Sequence, residues 1–294
     1  MTEDGKGEQS RIVVGIDGSE AGQHALEWAA AEAERRGAHL VIAHAGDLPN
    51  RKSLSEDTAR AALREIESYG RQLLDDAVEV VAEDFEAVDV RTELVEANPG
   101  HLLVDLSNDA SLVVVGRGNA PTLARFVLGS VSQHVAAHAA CPVIVVDGSA
   151  PTAETIVVGG SPTAGGRRAL RFACSEAERR GAPVVVVRSW SELSFVGTGP
   201  SYGNSVPFSA VEEAEQDVLD DVVRAAREEF PTVEITGELT STSAYHALTQ
   251  AGEKAALLVV GCRRDEHSHL PHLGPLTSWL MHHSPCPLAI VPAL

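Results

Sequence analysis

Gly116-Arg117-Gly118-Asn119 is followed, after nine residues, by Gly129-Ser130-Val131-Ser132, and this spacing suits the capture of an anion. Ser130 to Ser132 fit the first turn of a helix, whose free N–H groups and positive dipole end attract phosphate. The hydroxyls of Ser130 and Ser132 offer two further donors. Gly116 ends an apolar run where only a small residue lets a ligand approach. A second group, Gly15-Ile16-Asp17-Gly18-Ser19, ends another apolar run and sets Asp17 near where a sugar or a metal would sit. Plain structural roles compete: Gly129-Ser130 as a turn and N-cap, Asp17 as a capping or Asx-turn residue. Two sharper nucleotide motifs are missing. The chain has no G-x-x-x-x-G-K-[ST] loop, and its first turn is not G-x-G-x-x-G.

The elements that must position these residues follow from the apolar pattern. Residues 11–17 form an apolar run of strand length. Ser19 caps a helix that ends at Arg35-Arg36-Gly37, cations in the last turn and glycine just beyond. A strand at 39–45 places Ala45 at its carboxyl end, and residues 47–53 form a polar loop. A long helix then runs to about 83, with a strand at about 88–95. Asn98-Pro99 is an N-cap followed by proline at the first helical position, opening a helix to about 109. Strand 111–116, helix 130–139 and strand 142–147 complete the unit. The β-α alternation predicts an α/β fold, a doubly wound parallel sheet of five strands with helices on both faces. Ligands on such sheets bind beyond the carboxyl ends of the strands.

The unit occurs twice. Ile12-Val13-Val14-Gly15 returns as Ile156-Val157-Val158-Gly159, and Glu34-Arg35-Arg36-Gly37-Ala38 as Glu178-Arg179-Arg180-Gly181-Ala182, both at an offset of 144. Leu112 to Gly116 matches Leu257 to Gly261, and Cys141-Pro142 matches Cys286-Pro287, both at 145. The expected organisation is a disordered tail at 1–10, one domain at 11–147, a linker at 148–154 and a second domain at 155–294.

Composition narrows the partners. Lys and Arg number 23 against 42 Asp and Glu, a formal charge of −19, which repels nucleic acid and anionic membranes. Any phosphate site must therefore draw on backbone N–H groups, a helix dipole or a metal ion. The four cysteines lie far apart and read as small buried residues in a reducing compartment. Residues 1–10 have no apolar h-region, and no apolar run approaches the roughly 20 residues of a membrane span, so a cytoplasmic protein is expected. No residue has the form of an activated nucleophile with a paired base.

Gly116 to Val146, with Gly129-Ser130-Val131-Ser132, His138 and the run Cys141 to Val146, resembles the carboxyl half of a universal stress protein domain. Ile12 to Ser19 is similar to that family's first strand and Asp-Gly-Ser turn. The resemblance spans nearly the whole chain, as a tandem pair of the type common in high-GC Gram-positive bacteria. It implies an adenine nucleotide alpha hydrolase-like fold and a site for ATP, with or without Mg2+. The implied site is Gly15, Ile16, Asp17, Gly18, Ser19, Ala45, Gly116, Arg117, Gly118, Asn119, Gly129, Ser130, Val131 and Ser132. In the family's pattern G-2x-G-9x-G-[S/T], Asn119 stands at the middle glycine; asparagine tolerates the left-handed backbone best among non-glycine residues, and Gly118 adjoins it.

The second repeat departs further. Gly261 and Gly274 keep the outer spacing, but Arg264 takes the middle position, Pro275 replaces the serine and Ser161 stands where the first repeat has Asp17. A non-binding second site follows. The resemblance also implies pairing of domains through their last strands, within the tandem chain or between two chains. Three readings stay open: ATP as a regulatory ligand, slow hydrolysis or autophosphorylation at Ser130 or Ser132, and a scaffold without nucleotide. His267, His269 and His272 in the second loop, with His282 and His283 on the next helix, lack the ligand spacing of a zinc site. His138 reads as structural, and the glycine-rich loop 191–208 reads as either a lid or a disordered loop.

Overall fold

The computed structural model describes residues 10–46, 55–118, 129–148, 153–190, 208–262 and 273–292. Asn119, Arg264, His267, His269, His272, nearly all of loop 191–208 and nearly all of the tail 1–10 lie outside the described residues. The chain divides into two compact units near residue 149.

In the first unit β1 (Arg11–Gly15) is followed by α1 (Glu20–Arg36), β2 (His39–Ala45), α2 (Glu56–Asp84) and β3 (Val90–Val95). Then come α3 (Pro99–Leu106), a 3-10 turn at Ser107–Asp109, β4 (Leu112–Gly116), α4 (Ser130–His138) and β5 (Val143–Val146). The strands are parallel, in the order β3-β2-β1-β4-β5. β1 is central, with Val13 opposite Val41 on one side and Val113 on the other. Ile12, Val14, Leu40, Ile42, Leu112 and Val114 are fully buried, as expected of a parallel sheet covered on both faces. α1 packs against α2, and α3 against α4. Right-handed crossovers put these pairs on opposite faces, so the loops leaving β1 and β4 diverge. A crevice opens where they part.

The second unit repeats this order. It comprises β6 (Ile156–Gly159), α5 (Ala164–Arg180), β7 (Val184–Ser189), α6 (Phe208–Glu229) and β8 (Ile235–Thr240), then α7 (Ala244–Gly252), β9 (Leu257–Gly261), α8 (Pro275–His283) and β10 (Leu288–Val291). Its strands are also parallel, in the order β8-β7-β6-β9-β10.

Local signals place the helix ends. Ser19 Oγ accepts from Gly22 N, and Gly37 closes α1 at φ +57°. Asn98 Oδ1 accepts from Gly100 N and His101 N ahead of Pro99. The repeated Arg-Arg pair has a cause that its neighbours in sequence do not disclose. Arg35 and Arg36 reach back one turn to the buried Glu32, at 2.8 and 2.6 Å. Arg179 and Arg180 do the same to the buried Glu176, at 2.8 and 3.6 Å.

Gly116 is small for a reason within the fold. A Cβ there would lie 2.6 Å from the carbonyl oxygen of Ala21, so β4 and the first turn of α1 meet backbone to backbone. Gly261 repeats the contact, its Cβ position lying 2.5 Å from the carbonyl oxygen of Gly165. Gly116→Ala is therefore expected to destabilise the protein by about 1–3 kcal/mol through overpacking, read from the midpoint of urea unfolding. Gly129→Ala, whose Cβ meets no described atom nearer than 3.6 Å, should leave the midpoint nearly unchanged.

Candidate functional site

A cleft of about 190 Å3 opens at the carboxyl ends of the strands in the first unit. Gly15, Ile16, Asp17 and Ser19 form one side, and Gly116 and Gly118 the other. Ala45 lies at the end of β2, and Gly129, Ser130, Val131 and Ser132 bring in the start of α4. Of the remaining residues expected at the site, Gly18 and Arg117 do not line the cleft and Asn119 is outside the described residues.

β1 ends two residues earlier than its apolar run, because Ile16 and Asp17 already belong to a turn. Asp17 Oδ1 accepts from Ser19 N at 3.0 Å and from Ser19 Oγ at 2.5 Å. Asp17 is thus an Asx-turn residue whose second oxygen, Oδ2, is not used by that turn; the side chain is exposed. Gly18 takes φ +79°, and a Cβ on Gly22 would lie 2.9 Å from Asp17 Oδ1. Small residues let the helix start close to the carboxylate.

The other side is a closed loop neck. Gly129 N donates to Arg117 O at 3.3 Å, and Gly118 at φ +88° sits so close that a Cβ would lie 3.0 Å from Gly129 Cα. Among the described residues of this loop, Gly118 takes a positive φ, and it stands one position before Asn119. Ser132 is buried and donates its hydroxyl to Gly129 O at 3.0 Å, so it braces the neck it was expected to decorate. Arg117 turns away: its Nη1 meets Asp147 Oδ2 at 2.8 Å, and only its backbone serves the neck.

What remains at the mouth is the N-terminus of α4. α1, α2, α3, α5 and α7 each have a side-chain cap, from Ser19, Ser55, Asn98, Thr163 and Ser243. α4 and α8 begin at Gly129 and Gly274 with no side-chain cap. An uncapped first turn that opens into a cleft presents N–H groups to an anion. In α8 the proline at position 275 removes one of them.

The sequence did not point to Gly22, Ala43, His44, Pro99, Leu102, Leu103 and Val115, which also line the cleft. Pro99 was legible as a helix start but not as a wall, since only the crossover from β3 to β4 brings α3 to the switch point. His44 is buried, its Nδ1 meeting Ile16 O at 2.8 Å, which ties β2 to the Asp17 turn. All four cysteines are buried, and burial pushes the thiols of Cys141 and Cys174 up to about 12, so neither is a nucleophile.

The universal stress protein family matches residues 9–147 and again residues 153–292. The chain belongs to that family, with two copies of its domain. A universal stress protein of Mycobacterium tuberculosis is 32% identical over 260 residues, covering 86% of both chains. The crystal structure of a universal stress protein from Archaeoglobus fulgidus superposes with a TM-score of 0.70 at 17% identity, over 96% of this chain and 98% of that one. A universal stress protein solved in complex with cAMP is 29% identical over 47% of this chain and 96% of its own, with a TM-score of 0.33. No helix among the described residues of this universal stress protein is long and apolar enough to cross a membrane.

His138 is not an isolated structural residue. Its ring stacks on His134 with centroids 4.2 Å apart, and His134 meets His101 of α3 edge-on at 5.1 Å. Burial lowers the His134 pKa below its ordinary 6.5, with His138 and His101 adding repulsion. A folded pKa below the unfolded one means stability that is complete above 6.5 and is lost as pH falls through the folded value. The urea midpoint is expected to drop between about pH 7.5 and about pH 5.5, and to drop less in His134→Phe, which keeps the stack without the charge.

Proposed function

We propose that this universal stress protein is a cytoplasmic stress-response protein that holds ATP, with or without Mg2+, as a regulatory ligand in its first domain only. The observation that carries the reading is the uncapped start of α4 opening into the cleft that also contains Asp17. Backbone N–H groups there suit phosphates, while the free edge of Asp17 suits a ribose hydroxyl or a metal ion. The apolar wall of Ile16, Leu102, Leu103 and Val115 suits a base. A regulatory ligand is preferred to hydrolysis for a specific reason. His44, the imidazole lining the cleft, is buried and held by Ile16 O, so it is not poised as a base for Ser130 or for water.

The second domain supports the contrast. Ser161 makes the turn before α5 with a hydroxyl, Oγ lying 3.0 Å from Thr163 Oγ1, so no carboxylate stands there. Gly129→Glu and Gly274→Glu form the test. Both backbones accept a side chain: Gly129 has φ −60° and Gly274 φ −62°. In calorimetry with ATP, Gly129→Glu should weaken binding by roughly 100-fold or more, the carboxylate meeting the phosphates. Gly274→Glu should leave it unchanged. Equal effects from the two variants would overturn the one-site reading.

A further inference from the structure

Three histidines from two helices that border the cleft form a row beside it, although none of them lines it. α3 supplies Pro99 and Leu102 to the cleft and His101 to the row; α4 supplies Ser130 to Ser132 and then His134 and His138. His134 is four residues beyond Ser130, about 6 Å along the helix axis. We infer that the His101–His134–His138 row is a proton-linked counter-charge for the phosphate end of the cleft, so that the first domain holds an anionic nucleotide more tightly as the medium acidifies. This rests on the nucleotide reading of the cleft and specifies how that site is regulated.

Burial and the two neighbouring rings disfavour charge on His134. The titratable groups facing His134 are His138, from its own helix, and His101, from α3. Gly100 and Asn98 of α3 face it without charge, a Cβ on Gly100 lying 2.9 Å from His134 Cδ2. Asp105, one turn along α3 from His101, makes no ion pair with the row, and among the described residues no carboxylate does. Each imidazolium therefore disfavours the next. His138 Nδ1 meets His134 O at 2.8 Å, so that nitrogen carries the hydrogen and donates it to the carbonyl. Phosphate at the start of α4 would reverse the balance, because negative charge within a Debye length, about 10 Å at 0.1 M salt, favours the imidazolium. Binding then takes up protons, and by linkage a lower pH strengthens binding. The cleft's neighbouring guanidinium does not supply this charge, since Arg117 is paired with Asp147.

The second domain shows that packing does not require histidine here. Trp279 occupies the position of His134, and it stacks on His283 with centroids 4.1 Å apart and an interplanar angle of 9°. His283 Nδ1 meets Trp279 O at 2.8 Å, reproducing the His138–His134 contact. The helix that starts with proline carries an aromatic without charge, and the helix that starts with Gly129-Ser130 carries a ring that titrates.

The test is calorimetry with ATP at about pH 7.5 and about pH 6.0, in buffers of different ionisation enthalpy, on wild type, His134→Phe and His101→Gln. The pH change also titrates ATP itself, so the quantity read is the affinity ratio of each protein relative to wild type. Wild type should gain about fivefold more from acidification than either variant, with net proton uptake that both variants reduce; a pKa that ATP raises by one strengthens binding at most tenfold. The exposed His101→Gln guards against a folding defect in His134→Phe. Equal pH dependence in all three, with binding retained, overturns the inference and leaves the nucleotide reading standing. Wild type that binds at neither pH overturns both.

Discussion

The structure of each domain turns on one close approach, that of a strand end to the first turn of a helix on the neighbouring strand. Gly116 lies against the Ala21 carbonyl, and Gly261 lies against Gly165 in the same way. This backbone contact seats α1 across β1 and β4, and it fixes where the two loops diverge. Both domains keep it, whether or not their clefts retain a ligand's chemistry. The first glycine of the loop pattern is thus a packing requirement, and its persistence in the second domain is no sign of binding. What separates the domains is the groups that face the cleft: Asp17 against Ser161, and Ser130 against Pro275.

An acidic chain that captures an anion must solve an electrostatic problem, because a net charge of −19 repels the ligand at a distance. The solution is local. Gly129 gives α4 no side-chain cap, so no side chain at the cap position takes up its first-turn N–H groups. Ser132 and Gly118 hold that turn against Arg117 O, which keeps the donors in place before a ligand comes. Rigid donors lose little entropy on binding, whereas a flexible lysine would lose more.

Much of this was legible in the sequence. Gly37 after two arginines, Asn98 before Pro99, and the apolar runs of β1, β2 and β4 name their elements through local rules that the tertiary structure obeys. The offset of 144 or 145 fixed the two domains without reference to chemistry. Other features depend on contacts that no local pattern carries. Ile16 and Asp17 continue an apolar run yet turn, because Asp17 finds Ser19 two residues on. α3 tightens into a 3-10 turn at Ser107, whose hydroxyl accepts from Ala140 N across the fold. Leu102 and Leu103 belong to the wall, and His101 meets His134, only because a crossover delivers α3 to α4. Gly118 takes a positive φ, which the family pattern does not mark.

The central claim is one nucleotide site per chain, in the first domain. Equilibrium dialysis of the intact chain against labelled ATP measures it most directly, as the number of molecules bound at saturation. The account predicts a plateau at about one ATP per chain, since the uncapped turn with Ser130 and the exposed Asp17 occur together once. A plateau at about two, or no saturable binding, would contradict it.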